Sequence, residues 1–293
     1  MLNIDTLCFS SGGLYGFLII GCMKKLLDYK YIEMKNIKKI VGTSAGAACG
    51  LFYVLDYNYD EILKHIDLDN IMNDCSIDNL LINFGLNNGK YVRDKFSEII
   101  YDKLGVYDIT FKELYEKTNK EFCILVTNFT KSKQEILSYI ETPNLSLITA
   151  LQMSCCIPLI FKPILYNNNY YYDGAIICNI GLDICDPDTT LGLLIQNQVE
   201  NRELENINDL LTGILGIIVN NLTCKKNCYK TIILAANGNV NLFKFDKDII
   251  NNIIQEGYEK TNEFLINELK SQIKNTHNKI IKSTLYSIID KIV

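Results

Sequence analysis

The sequence predicts an α/β fold: a mostly parallel central sheet with helices on both faces. Three observations carry this. Strand-like and helix-like segments interleave along the 293 residues, as in folds whose sheet is covered on both sides. The first two strand-like segments each end in a glycine-bearing turn that leads into a helix, and functional loops lie at the carboxyl ends of strands in such sheets. Residues 121–129, EFCILVTNF, form a nearly continuous apolar run, as a buried strand does.

In order, residues 4–9 read as a buried strand, Ser10-Ser11-Gly12-Gly13 as a turn, and 14–29 as a helix. Residues 37–41 read as the second strand, and the small apolar run 45–55 as a helix on the sheet. Residues 56–120 show helical spacing of apolar positions. Residues 134–139 alternate and predict another strand; 146–153 predict a helix. Residues 164–173 read as a hairpin turning at Asn167-Asn168-Asn169. Residues 190–195 and 230–235 predict two further strands, and 204–222 and 248–291 are helical in pattern. With four prolines and no Gly/Ser-rich stretch, no linker is visible. The organisation expected is a core over residues 1–200 and a helical C-terminal part, 201–293, packed on the same domain.

A net charge of −5 and a pI near 5.2 argue against a nucleic-acid binder, which presents a basic face. The eleven cysteines lie mostly in apolar contexts, as at Cys8, Cys22, Cys49 and Cys123, and read as small buried hydrophobes. Residues 1–9 lack the basic start and cleavage site of a signal peptide. A reducing, cytoplasmic setting is the simpler account. Cys224 and Cys228 have the spacing of half a zinc site but no second pair nearby, so no metal and no cofactor is expected. The longest apolar run, 210–219, is too short to cross a bilayer.

Gly42-Thr43-Ser44-Ala45-Gly46 is the most informative segment. G-x-S-x-G is the sequence form of a strand-to-helix turn that exposes a serine nucleophile; it reads equally as a glycine-bounded helix start with Ser44 as cap. A serine nucleophile needs a base, and the chain has two histidines. His65 lies among acids on a helical segment and His277 in the C-terminal helical region, and both read as surface helix residues. A carboxylate is the alternative base. Asp173 follows the aromatic run Tyr170-Tyr171-Tyr172 and precedes Gly174-Ala175. It fits a semi-buried base, but its local sequence alone favours an Asx-turn. The turn Ser11-Gly12-Gly13-Leu14-Tyr15-Gly16 offers unpaired backbone N–H groups for an oxyanion. Its rival, a phosphate loop, lacks the Lys-Ser/Thr of that motif.

In combination these residues resemble the patatin-like phospholipase family. The match runs in order through Phe9–Gly16 and Gly21–Lys24, Gly42–Gly46, Ala150–Phe161 (ALQMSCCIPLIF), and Asp173-Gly174-Ala175 with Asn179. The resemblance implies a three-layer α/β/α sandwich and a Ser–Asp dyad with Ser44 as nucleophile and Asp173 as base. It implies an oxyanion hole at Gly12, Gly13 and Leu14, with Gly16, Gly42, Gly46, Gly174 and Ala175 supporting the motifs. The activity implied is hydrolysis of fatty acyl esters, in phospholipids or other lipids, without a metal and with peripheral membrane contact. Two departures stand out: Ser11 replaces the family's first loop glycine, and Tyr15 its basic residue. They keep open a lipid-binding protein on the same fold, and the same dyad would also serve an acyltransferase. Two segments are candidates for membrane contact, 210–219 and 273–292, although the ordinary reading of the second is core packing.

Overall fold

The computed structural model describes residues 3–67, 71, 73–198, 204–205, 209–210, 213–214, 216–218, 229–237, 246–276 and 279–292. Its centre is an eight-stranded sheet. Strands β1 (Thr6–Phe9), β2 (Lys39–Thr43), β4 (Glu121–Asn128), β9 (Thr190–Gln198) and β10 (Lys230–Asn237) run parallel in the order β10-β9-β1-β2-β4. Strands β5 (Lys133–Leu137), β7 (Ile164–Tyr166) and β8 (Asn169–Asp173) add antiparallel pairs at the β4 side. The predicted hairpin is present. Asn167 and Asn168 join β7 to β8 with φ 46° and 59°, the left-handed pair that a two-residue hairpin loop requires.

Alternation along the strands explains the layers. Leu7, Phe9, Ile40, Phe122 and Ile124 point to one face and share a core with α1 (Phe17–Asp28), α2 (Ala45–Val54) and the long helix Lys247–Asn275. Cys8, Val41, Cys123 and Leu125 point to the other face and pack on Ile180 and Leu182. Helices α3 (Tyr59–His65), α4 (Ile77–Asn83), α5 (Lys90–Leu104), α6 (Phe111–Thr118) and α7 (Leu147–Ser154) complete the shell. Reciprocal caps start two of them: Asn58 with Glu61 at α3, and Thr110 with Glu113 at α6.

Three expectations are corrected. The stretch 56–120 holds a strand as well as helices, β3 (Gly85–Asn87), paired parallel with β6 (Leu159–Phe161). Three residues are too few to show a period. The second strand runs past Val41 through Gly42 and Thr43, because β1 and β4 hold it from both sides. The helical pattern of 248–291 breaks at Thr276, whose backbone is extended; Asn275 and Thr276 are weak helix formers. A terminal helix, Lys279–Ile292, follows. No helix of the described residues is long and apolar enough to cross a membrane.

Candidate active site

Ser44 is the one residue between the end of β2 and the start of α2. Its backbone sits at φ 53°, ψ −121°, a conformation that costs an L-residue on the order of 1–3 kcal/mol. Two features hold it there. A Cβ on Gly46 would lie 2.5 Å from the carbonyl oxygens of Phe9 and Ser10, so glycine alone lets the first turn of α2 rest on the end of β1. The Ser44 N–H donates to Ser154 Oγ at 2.9 Å, and the Ser154 hydroxyl donates to the Leu125 carbonyl at 2.7 Å. Ser154 thus pins the elbow to the central strand. Sequence reasoning gave it no role; the signal was a fully buried hydroxyl closing an apolar helix.

Asp173 reaches Ser44 through strand register. Along one edge of β4, β2 pairs as far as Thr43 with Leu125, and β8 takes over with Asp173 opposite Val126. The residue after Thr43 therefore meets Asp173. Asp173 Oδ2 accepts a hydrogen bond from Ser44 Oγ at 2.5 Å, and Oδ1 accepts from the Ala175 N–H at 2.8 Å. Its N–H donates to the Cys156 carbonyl, and its own carbonyl accepts from the Thr127 hydroxyl. One oxygen of Asp173 makes the Asx-turn, and the other faces the serine. Burial raises its pKa from 3.8 to about 7, against the opposing pull of the Ser44 and Ala175 hydrogen bonds. A carboxylate near neutrality is matched to proton transfer at physiological pH.

The glycine turn follows β1. Gly13 adopts φ 54° and opens a 3-10 turn, Gly13–Gly16, whose first N–H groups have no partner within the turn. The N–H groups of Gly12 and Gly13 are unpaired among the described residues. Ser11 does not need the left-handed region. Its N–H donates to the Asn179 carbonyl at 2.9 Å and its hydroxyl to Asn179 Oδ1 at 2.5 Å. The substituted residue thereby ties the turn to the segment that follows Asp173. Tyr15 is buried, and desolvation, then Glu256, raises its phenol pKa.

A cavity of about 210 Å³ opens beside these groups. Ser44 and Gly13 line it with Leu14, Phe17, Phe52 and Phe161. His65 lines it as well, which corrects its reading as a surface residue. Its side chain is only 19% exposed, lies 3.3 Å from Asp102 and packs edge-on against Tyr57. His277, Cys224 and Cys228 fall outside the described residues, as do parts of the run 210–219.

A family model described as patatin-like phospholipase matches residues 7–186. An uncharacterized protein of Acanthamoeba polyphaga mimivirus is 29% identical over 267 residues, 84% of this chain and 88% of that protein. A probable lipid hydrolase of Invertebrate iridescent virus 6 is 31% identical over 188 residues, 61% of this chain and 62% of that protein. Among solved structures, VipD from Legionella pneumophila superposes with a TM-score of 0.64 over 89% of this chain at 15% identity, and the chain spans 66% of its length.

Proposed function

The chain belongs to the patatin-like phospholipase family, and from that premise we propose that it hydrolyses fatty acyl esters of lipids through an acyl-enzyme on Ser44. The observation that carries this reading is the buried 2.5 Å hydrogen bond from Ser44 Oγ to Asp173 Oδ2 beside an apolar cavity. Ser44 Oγ attacks the ester carbonyl carbon as its proton passes to Asp173. The N–H groups of Gly12, Gly13 and Leu14 receive the negative charge that develops on the carbonyl oxygen; loss of one such donor costs about 10²–10³ in rate. The carbon–oxygen bond to the alcohol breaks, and the alcohol leaves with the proton from Asp173. Water then attacks the acyl-enzyme, gives a proton to Asp173, and releases the fatty acid as Ser44 recovers its proton. A cavity of about 210 Å³, lined by aromatic and aliphatic side chains, suits one acyl chain.

The test is mass-spectrometric analysis of mixed phospholipids after incubation with the protein. Wild type releases free fatty acid, and Ser44→Ala and Asp173→Asn each lower release by at least about 10³-fold without loss of the folded state. Full turnover by Asp173→Asn sinks the dyad. Acyl transfer to an alcohol in place of water would show as a new ester in the same spectrum.

A further inference from the structure

Helix α4 turns three of its four apolar side chains to solvent; only Leu80 is half-buried, and Asp78 is its one charged residue, exposed. Ile77, Leu81 and Ile82 are 71%, 72% and 73% exposed, and Phe84, just past its end, is 61% exposed. The half-buried polar residues Asn79 and Asn83 lie on its inner side: Asn79 Nδ2 donates to the Asp74 carbonyl, and Asn83 Nδ2 to Asn79 Oδ1. A folded surface normally places these classes the other way.

The backbone adds an independent observation. Phe84 and Leu159 hold φ 63° and 67°. The other non-glycine residues with positive φ are Lys, Asp, Asn or Ser; for a bulky apolar side chain this region is a genuine outlier. The two are neighbours, because Gly85 pairs with Leu159 where β3 meets β6. Leu159 is 50% exposed. Local strain is thus maintained at two adjacent positions that present apolar side chains to solvent.

Strand β6 of the same ribbon is a wall of the cavity. Ile160 and Phe161 of β6 line it beside Ser44. Lys90 and Lys162 stand exposed at the ribbon's C-terminal end, without ion pairs among the described residues. The patch thus adjoins the cavity wall through β6, where Leu159 precedes Ile160 and Phe161, and Lys90 and Lys162 on that side offer cations that suit phosphate oxygens. We propose that α4, with Phe84 and Leu159, is the surface by which this protein inserts into a phospholipid bilayer, delivering an acyl chain to the Ser44 cavity. The delivery half rests on the hydrolase reading; the docking half does not.

The chain contains no tryptophan, so Ile82→Trp introduces its sole indole. Placed in a Ser44→Ala background, it is titrated with phosphatidylcholine vesicles carrying brominated acyl chains. The expected result is a blue shift and quenching, while Tyr107→Trp, at the far end of α5 in the same background, shows neither. In the same Ser44→Ala background, the double variant Leu81→Asp/Ile82→Asp binds vesicles at least about tenfold more weakly in a flotation assay; with Ser44 restored, it cleaves a soluble short-chain ester at the wild-type rate. An unquenched indole, or undiminished binding by the double variant, overturns the proposal. So does a dimer in light scattering that the double variant abolishes, since the patch would then be a protein interface. Because binding is read with Ser44 removed, a failed hydrolase assay leaves this result standing on its own.

Discussion

Burial raises the Asp173 carboxyl from 3.8 to about 7, and that displacement ties stability and, under the proposed mechanism, activity to pH. The native state holds the Asp173 proton up to about pH 7, whereas the unfolded chain releases it near 3.8. Between those values the native state binds more protons, so stability falls as pH rises across the window and is level above it. The contribution lost by pH 7 is about 4 kcal/mol. Asp173→Asn removes this dependence. The variant is expected to be more stable than wild type above pH 7, and the advantage to vanish near pH 4, in melting curves taken across that range. For the proposed catalysis the sign is opposite, because Asp173 acting as base must be unprotonated. kcat/KM is expected to rise with pH to a plateau, with an apparent pKa about 7. A stability difference that does not vary with pH would show that Asp173 is already ionised well below neutrality in the folded protein.

At the scale of elements, much of the site was legible because short motifs report local backbone. Ser44 announced itself through Gly42 and Gly46, and Asp173 through Gly174 and Ala175. Residue patterns offered Asp173 as a candidate partner and the resemblance implied the pairing, but the contact itself depends on β8 replacing β2 along one edge of β4, a fact of register between distant strands. Ser154 was hidden for the same reason: its partners are the Ser44 N–H and the Leu125 carbonyl. Helix α4 was hidden differently, since an apolar run that faces solvent reads as core. Ser11 shows how a departure from a motif becomes intelligible once its partner is known. Its hydroxyl, donated to Asn179 Oδ1, joins the glycine turn to the segment carrying Asp173. Ser11→Ala leaves that buried acceptor without the donor, and the turn is then tied to the Asn179 segment by one backbone bond, from the Ser11 N–H to the Asn179 carbonyl. The expected effect is a fall in kcat of about tenfold, with KM unchanged, as for a donor array that loses alignment in the transition state. Ser11→Thr, which keeps the hydroxyl, should restore most of the rate. If kcat is unmoved while melting temperature alone falls, the pair is only structural.

At the scale of the whole molecule, the question is whether the C-terminal region belongs to the domain that holds the site; we propose that it does. The long helix Lys247–Asn275 crosses α1 backbone to backbone. A Cβ on Gly21 would run into the Ile254 carbonyl oxygen, and one on Gly257 into the Leu18 carbonyl oxygen. Around this crossing Leu18 and Cys22 are fully buried, and Lys25 is held between the rings of Tyr29 and Tyr258, at 4.5 and 4.3 Å. Further along, Glu268 pairs with Lys230 of β10, and Phe264 stacks edge-on with Tyr31. The helix therefore ties the sheet edge to α1, and α1 begins where the Gly13–Gly16 turn ends. Gly257→Leu forces the crossing apart. Overpacking of this kind costs about 1–3 kcal/mol, a fall in melting temperature of about 2–5 °C for a domain of this size. The transition should remain single, and activity should fall with it, because α1 carries the glycine turn. A chain ending at Asp246 would leave Leu18, Cys22 and Lys25 uncovered and should fail to unfold cooperatively at all. If that shorter chain instead melts at the wild-type temperature, the C-terminal helices form a separate unit and the one-domain account fails.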